Sequence, residues 1–152
     1  MAPQTVPARI APTAGQLNTT NAFDADHDGL PDSWEIQYFG SISDPRATPN
    51  ADPDGDGFTN LQEYLAGTNP IDINSSLKIN SISVGAGSAI LHFGVVAGKT
   101  YSLLYRADLS AGSWLKLVDI PAQAASGILT VTDPTINVAS PRFYRLTTPK
   151  LP

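Results

Sequence analysis

Two stretches of the chain carry carboxylates at alternate positions ahead of a glycine: Asp24-Ala-Asp-His-Asp-Gly-Leu-Pro-Asp-Ser-Trp-Glu35 and Asp52-Pro-Asp-Gly-Asp-Gly-Phe-Thr-Asn-Leu-Gln-Glu63. They begin 28 residues apart and form an internal repeat. Calcium takes roughly six to eight hard oxygen ligands, and a twelve-residue loop supplies them from positions 1, 3, 5, 7, 9 and 12, with glycine at 6 for the sharp turn. In the first stretch Asp24, Asp26 and Asp28 fall at positions 1, 3 and 5, Gly29 at 6, the Leu30 carbonyl at 7, Asp32 at 9 and a bidentate Glu35 at 12. In the second the same places fall to Asp52, Asp54, Asp56, Gly57, the Phe58 carbonyl, Asn60 and Glu63. Two calcium ions are the expectation. A solvated acidic loop is the competing reading, but it has no reason to place a glutamate at position 12 twice.

The elements around these loops are short. Each loop runs into a helix, expected over 33–39 and 60–66, with apolar faces from Trp34, Ile36 and Phe39 and from Leu61, Tyr64 and Leu65 that should pack together. Gly40 and Gly67 stand where left-handed helix ends belong. Residues 18–23 and 46–51, ahead of each loop, are polar or contain proline, so the loops lack the entering helix of a full EF-hand. Beyond Leu77 the pattern becomes short runs rich in β-formers, over 77–84, 89–95, 100–106, 114–119, 128–132 and 142–148. Alternation places Tyr101, Leu103 and Tyr105 on one face against Ser102, Leu104 and Arg106, Leu91 and Phe93 opposite His92, and Tyr144 and Leu146 opposite Phe143 and Arg145. The fold class is mostly β: a small antiparallel β-sandwich preceded by a calcium-binding double-loop segment with two short helices. Three segments follow: a disordered linker over 1–22, the tandem loops over 23–72 and the sandwich over 73–152.

Composition excludes several chemistries. The 152 residues hold no Cys and two His, which removes disulfides, thiolate zinc sites and histidine metal clusters. Twelve Gly and 13 Pro with 15% charged residues disfavour a helical bundle. Eleven of the 14 acids lie between Asp24 and Asp72 against Arg46 alone, a net charge of −10, whereas residues 73–152 set seven bases against three acids, a net +4. So dense a negative segment is either disordered or cation-bound. No apolar run reaches the 18 or so residues of a membrane span. The opening Met1-Ala-Pro-Gln-Thr lacks the charged and apolar parts of a signal peptide. An acidic isoelectric point near 4.7 and the lack of a Lys/Arg run argue against nucleic acid.

The first loop, followed by the second and its extension Tyr-Leu-Ala-Gly-Thr-Asn-Pro70, resembles bacterial thrombospondin type 3-like and dockerin-like calcium repeats over about 23–72. That resemblance implies calcium as structural glue in a secreted or cell-surface protein, with Asn69 and Asp72 as extra ligands. The longer helices and recognition residues of a cohesin-binding dockerin are missing. The order Leu-His-Phe, Gly-Lys-Thr-Tyr-Ser-Leu, Ala-Gly-Ser-Trp-Leu-Lys-Leu, Phe-Tyr-Arg-Leu resembles fibronectin type III-like or immunoglobulin-like C-terminal modules of large secreted bacterial proteins, carbohydrate-active enzymes among them.

Catalysis is not expected. Asp108, Asp119 and Asp133 adjoin turns and form no evident acid and base pair, and His92 stands alone in a strand. The expected function is therefore a non-catalytic, calcium-stabilised accessory region of a larger secreted protein, monomeric, attached to a catalytic domain and binding carbohydrate. Trp114, Tyr101, Tyr105, Phe143 and Tyr144 are the candidate stacking rings, Arg106 a candidate donor, and Arg106, Lys116, Arg142 and Arg145 would favour an acidic polysaccharide. The alternatives are a purely structural or surface-targeting linker module and a dockerin-like cohesin-binding module.

Overall fold

A computed structural model describes residues 23–85, 87–136 and 141–152, so the expected linker over 1–22 lies outside the described residues. Two helices, α1 (Asp32–Phe39) and α2 (Asn60–Ala66), precede six strands: β1 (Ile79–Gly85), β2 (Ser88–Val95), β3 (Tyr101–Arg106), β4 (Leu115–Ile120), β5 (Gly127–Asp133) and β6 (Phe143–Thr147). The strands form two antiparallel three-stranded sheets, ordered β1-β2-β5 and β4-β3-β6. The expected β-sandwich class and all six expected strands are present.

In β2 the alternation is clean, since Ala89, Leu91, Phe93 and Val95 face the core. Tyr101 and Leu103 of β3 and Ile120 of β4 meet them, with Leu129, Val131, Tyr144 and Leu146 packed around. Fully burying Leu91 and Phe93 stabilises by roughly 1.5–3 kcal/mol each. Simple alternation fails in β3, where Ser102 and Leu104 are buried too. The β3–β4 register slips between Leu103 and Leu104, which pair with Val118 and Lys116. The C-terminal tail crosses Ser102, whose hydroxyl accepts from the Leu151 N–H at 2.9 Å. In β1, Ile82 and Val84 pair with Leu91 and Ala89, which puts them on the core side, yet they are 47% and 63% exposed.

Helix α1 begins one residue earlier than expected. Pro31 is its N-cap in an extended conformation, and the Trp34 and Glu35 N–H groups donate to its carbonyl. Helix α2 carries a capping box that the sequence reading passed over, with Thr59 and Gln62 exchanging side-chain-to-backbone bonds. Gly40 and Gly67 close the helices at φ 81° and 78°, as expected. The two helices do pack together: the Trp34 ring meets Tyr64 edge-on at 5.9 Å. Ile36 takes no part and is 54% exposed. Glu35 and Phe39, one helical turn apart, define the buried side of α1, and Ile36 lies a residue's rotation away from it.

Candidate metal centres and the outer sheet face

The repeat seen in sequence is a repeat in three dimensions. Asp24 accepts from the His27 and Gly29 N–H groups at 2.8 and 3.1 Å, and Asp52 accepts from Gly55 and Gly57 at 2.8 and 3.0 Å. Asp28 accepts from Leu30 at 2.9 Å, and Asp56 accepts from Phe58 at 2.8 Å. Each loop closes with one backbone bond, Asp32 N–H to the Phe23 carbonyl and Asn60 N–H to the Ala51 carbonyl, both 2.9 Å. The glycines at position 6, Gly29 and Gly57, have φ near 100°, a region that L side chains avoid. Position 4 is also left-handed in both loops, and there Gly55 is at ease while His27 carries φ 61°.

These turns bring Asp24, Asp26 and Asp28 together so that an oxygen of each lies within 4.8 Å of the others, and they do the same for Asp52, Asp54 and Asp56. Neither glutamate belongs to its aspartate group by that distance, but both are buried beside it, Glu35 at 0% and Glu63 at 1% exposure. Six buried side-chain atoms among the described residues have no hydrogen-bond partner: both oxygens of Glu35, one each of Asp54, Asp56 and Glu63, and Oδ1 of Asn60. All six are oxygens able to accept, and all lie in the two loops. Burying an ionised carboxylate without a partner costs several kcal/mol, so the arrangement calls for a positive charge among these oxygens. In the bare chain burial pushes the Glu35 and Glu63 carboxyls up to about 7, with the neighbouring aspartates adding to the rise. The donor set is hard oxygen throughout, which suits calcium. Leu30, whose carbonyl was assigned to position 7, is fully buried, and Phe58 is half-buried.

Asn60 does more than its expected ligand role requires. Its amide nitrogen donates to the Arg46 and Thr48 carbonyls at 2.6 and 2.8 Å, tying the interhelical segment to α2 and leaving Oδ1 as the unpartnered atom. At the equivalent place Asp32 accepts from the Ala25 N–H at 2.8 Å. Thr68 escaped the sequence reading; its hydroxyl donates to Glu63 Oε1 at 3.2 Å. No local spacing rule points to either contact.

On the β4-β3-β6 sheet the candidate sugar residues separate. Tyr101 is a core residue with no exposed surface, and its hydroxyl accepts from the Val96 N–H at 2.7 Å, so it offers no ring to a ligand. Tyr105 is half-buried beneath the Arg142 guanidinium, 4.2 Å from its centroid. Arg142 is itself fixed by the fully buried Asp133 at 2.6 Å, which also accepts from the Tyr144 hydroxyl and the Thr135 hydroxyl and N–H. Those bonds hold the Asp133 carboxyl below its ordinary range although burial opposes them. Trp114, Arg106 and Phe143 do gather on the outer face, since Arg106 pairs with Phe143 and lies over the Trp114 ring at 5.4 Å. Arg145 reaches across β3 from β6 to lie 4.8 Å from the same ring, which explains why Leu104 between them is 2% exposed. Trp114 is half-buried, and its ring is engaged by guanidinium groups. Arg106 bonds the Asp108 and Ala111 carbonyls, whereas Arg145 has no hydrogen bond among the described residues.

No protein-family model and no curated protein matches this sequence. Among solved structures, the sensor domain of the anti-sigma factor RsgI4 from Pseudobacteroides cellulosolvens is similar over 49% of this chain and 75% of that one, with a TM-score of 0.41 and 19% identity. Similarity at that level assigns neither a family nor a function. No helix among the described residues is long and apolar enough to cross a membrane.

Proposed function

We propose that residues 23–72 bind two calcium ions and that these ions act as structural glue in a non-catalytic accessory module of a larger secreted or cell-surface protein, the loops forming one segment and residues 73–152 another. The observation that carries this reading is the pair of buried glutamates at position 12, three of whose four oxygens have no donor among the described residues. Asp24, Asp26, Asp28, the Leu30 carbonyl, Asp32 and Glu35 would hold one ion, and Asp52, Asp54, Asp56, the Phe58 carbonyl, Asn60 and Glu63 the other. Calcium would supply the charge that folds these loops, so its binding energy would appear as folding energy. Calorimetric titration of the chelator-treated chain with calcium chloride should give two binding events, and the melting temperature should rise with them. A melt unmoved by calcium after verified metal removal would sink this reading.

A second reading, a carbohydrate-binding role for the sandwich, is favoured by one observation, the guanidinium of Arg145, which lies against the Trp114 ring and has no hydrogen bond among the described residues. With the Trp114 ring already engaged by guanidinium groups, the ligand class this face suits is a polysaccharide bearing carboxylates rather than a neutral stacked sugar. Affinity electrophoresis in polygalacturonate should retard the chain, and Arg145→Gln should relieve the retardation. Equal mobility with and without the polymer would leave the structural role alone.

A further inference from the structure

We propose that the turn between β2 and β3 positions Glu63, so that the second loop and the sandwich share one calcium-dependent stability; this rests on the calcium reading above. The turn, residues 96–100, is itself fixed from the core. Val96 N–H donates to the buried Tyr101 hydroxyl at 2.7 Å, Gly98 N–H to the Gln123 carbonyl and Ala97 N–H to the Ser126 hydroxyl, both at 2.9 Å.

From this braced turn two side chains reach the C-terminal end of α2. Lys99 Nζ donates to the Tyr64 carbonyl at 2.8 Å and lies 5.4 Å from the centre of that tyrosine's ring. A cation at that end of a helix also meets the negative pole of its dipole. Val96 packs so closely on Gly67 that a Cβ there would stand 2.9 Å from Val96 Cγ1 and 3.0 Å from Lys99 Cε. Gly67 N–H in turn donates to the Glu63 carbonyl at 2.7 Å, and the next residue, Thr68, bonds that carbonyl at 3.1 Å through its N–H and the Glu63 carboxylate at 3.2 Å through its hydroxyl. The path from the sandwich core to the position-12 carboxylate is thus continuous: Tyr101, Val96, Gly67 and Thr68, then Glu63, with Lys99 clamping the adjoining carbonyl. A cleft of about 230 Å³ lined by Phe58, Leu65, Leu77 and Leu146 lies along the same junction, between the second loop with α2 and the sandwich.

The first loop has no counterpart. Among the described residues no hydrogen bond joins 23–40 to the sandwich, and the Trp34 ring of α1 meets Tyr64 of α2. Lys99 is therefore a positioning residue for one site and not the other.

The test is calorimetric titration of the full chain with calcium chloride, the two events assigned with Glu35→Gln and Glu63→Gln. Lys99→Met should weaken the second site by about tenfold, the scale set by losing one charge-assisted hydrogen bond, and leave the first unchanged. Lys99→Arg, which keeps a donor, should restore most of the affinity. By linkage, calcium should raise the melting temperature of the strand signal in the wild type and raise it less in Lys99→Met. Equal affinities in Lys99→Met and wild type, or an equal loss at both sites, would overturn the proposal. No calcium binding by the wild type would instead overturn the calcium reading itself. Should Lys99→Met fail to fold, Val96→Ala carries the test, with the same selective loss expected and unchanged affinity overturning it.

Discussion

At the scale of single residues, the two loops differ where their backbones agree, and the differences have consequences. Position 9 is Asp32 in one and Asn60 in the other. By ligand chemistry alone, Asn60→Asp would improve the second site, yet the amide's two donors hold the Arg46 and Thr48 carbonyls. A carboxylate there would face both carbonyls without a proton to offer, so we expect Asn60→Asp to destabilise the metal-free chain by about 2 kcal/mol in urea melts. The buried glutamates make a prediction about pH. Their folded values of about 7 stand above the ordinary 4.5, so between those limits the metal-free folded chain holds protons that the unfolded chain has released. Stability in EDTA should therefore fall as pH rises from 5 to 7.5, and calcium, which needs both carboxylates ionised, should bind more weakly at pH 5.5 than at pH 7.5. Parallel melts in EDTA and in calcium across that range check both signs. The alternating aspartates, the position-6 glycines and the terminal glutamates were legible in the sequence because a loop that wraps a cation fixes its own spacing. Thr68 and the second role of Asn60 were not legible, since a hydrogen bond to a carboxylate or a distant carbonyl leaves no periodic trace.

At the scale of elements, the helices owe their ends to different devices. Thr59 and Gln62 cap α2 reciprocally, whereas α1 starts on Pro31 with no side-chain cap. Thr59→Ala should cost about 1 kcal/mol by thermal melting. Strand positions followed from period-two alternation and turn residues, and β2 obeys that pattern throughout. The departures came from contacts that periodicity does not encode. An overlying tail covers Ser102 on the outer side of β3, and Arg145 bridges to Trp114 over Leu104. Tyr101 sits on the core face that alternation assigns to it, and its full burial shows that a ring's face in a strand weighs more than its general suitability for stacking on sugars.

At the scale of the whole molecule, charge and surface decide behaviour in solution. The chain carries a formal charge of −5, and two divalent cations would bring it to −1, so native electrophoretic mobility toward the anode should fall sharply when calcium replaces EDTA in the gel. Mobility unchanged by calcium would contradict two-ion loading. The same neutralisation removes repulsion between molecules, and it meets a sheet edge that is ill guarded. Strand β1 pairs on one side only among the described residues, and its Ile82 and Val84 stand open to solvent on the side that should be core. An apolar, one-sided strand is a template for another chain, which native proteins usually blunt with a charge. Colloidal stability should therefore be poorest in the calcium-loaded state, where the fold is firmest, and a single Val84→Lys exchange should raise the concentration at which light scattering begins while leaving the melting temperature in place.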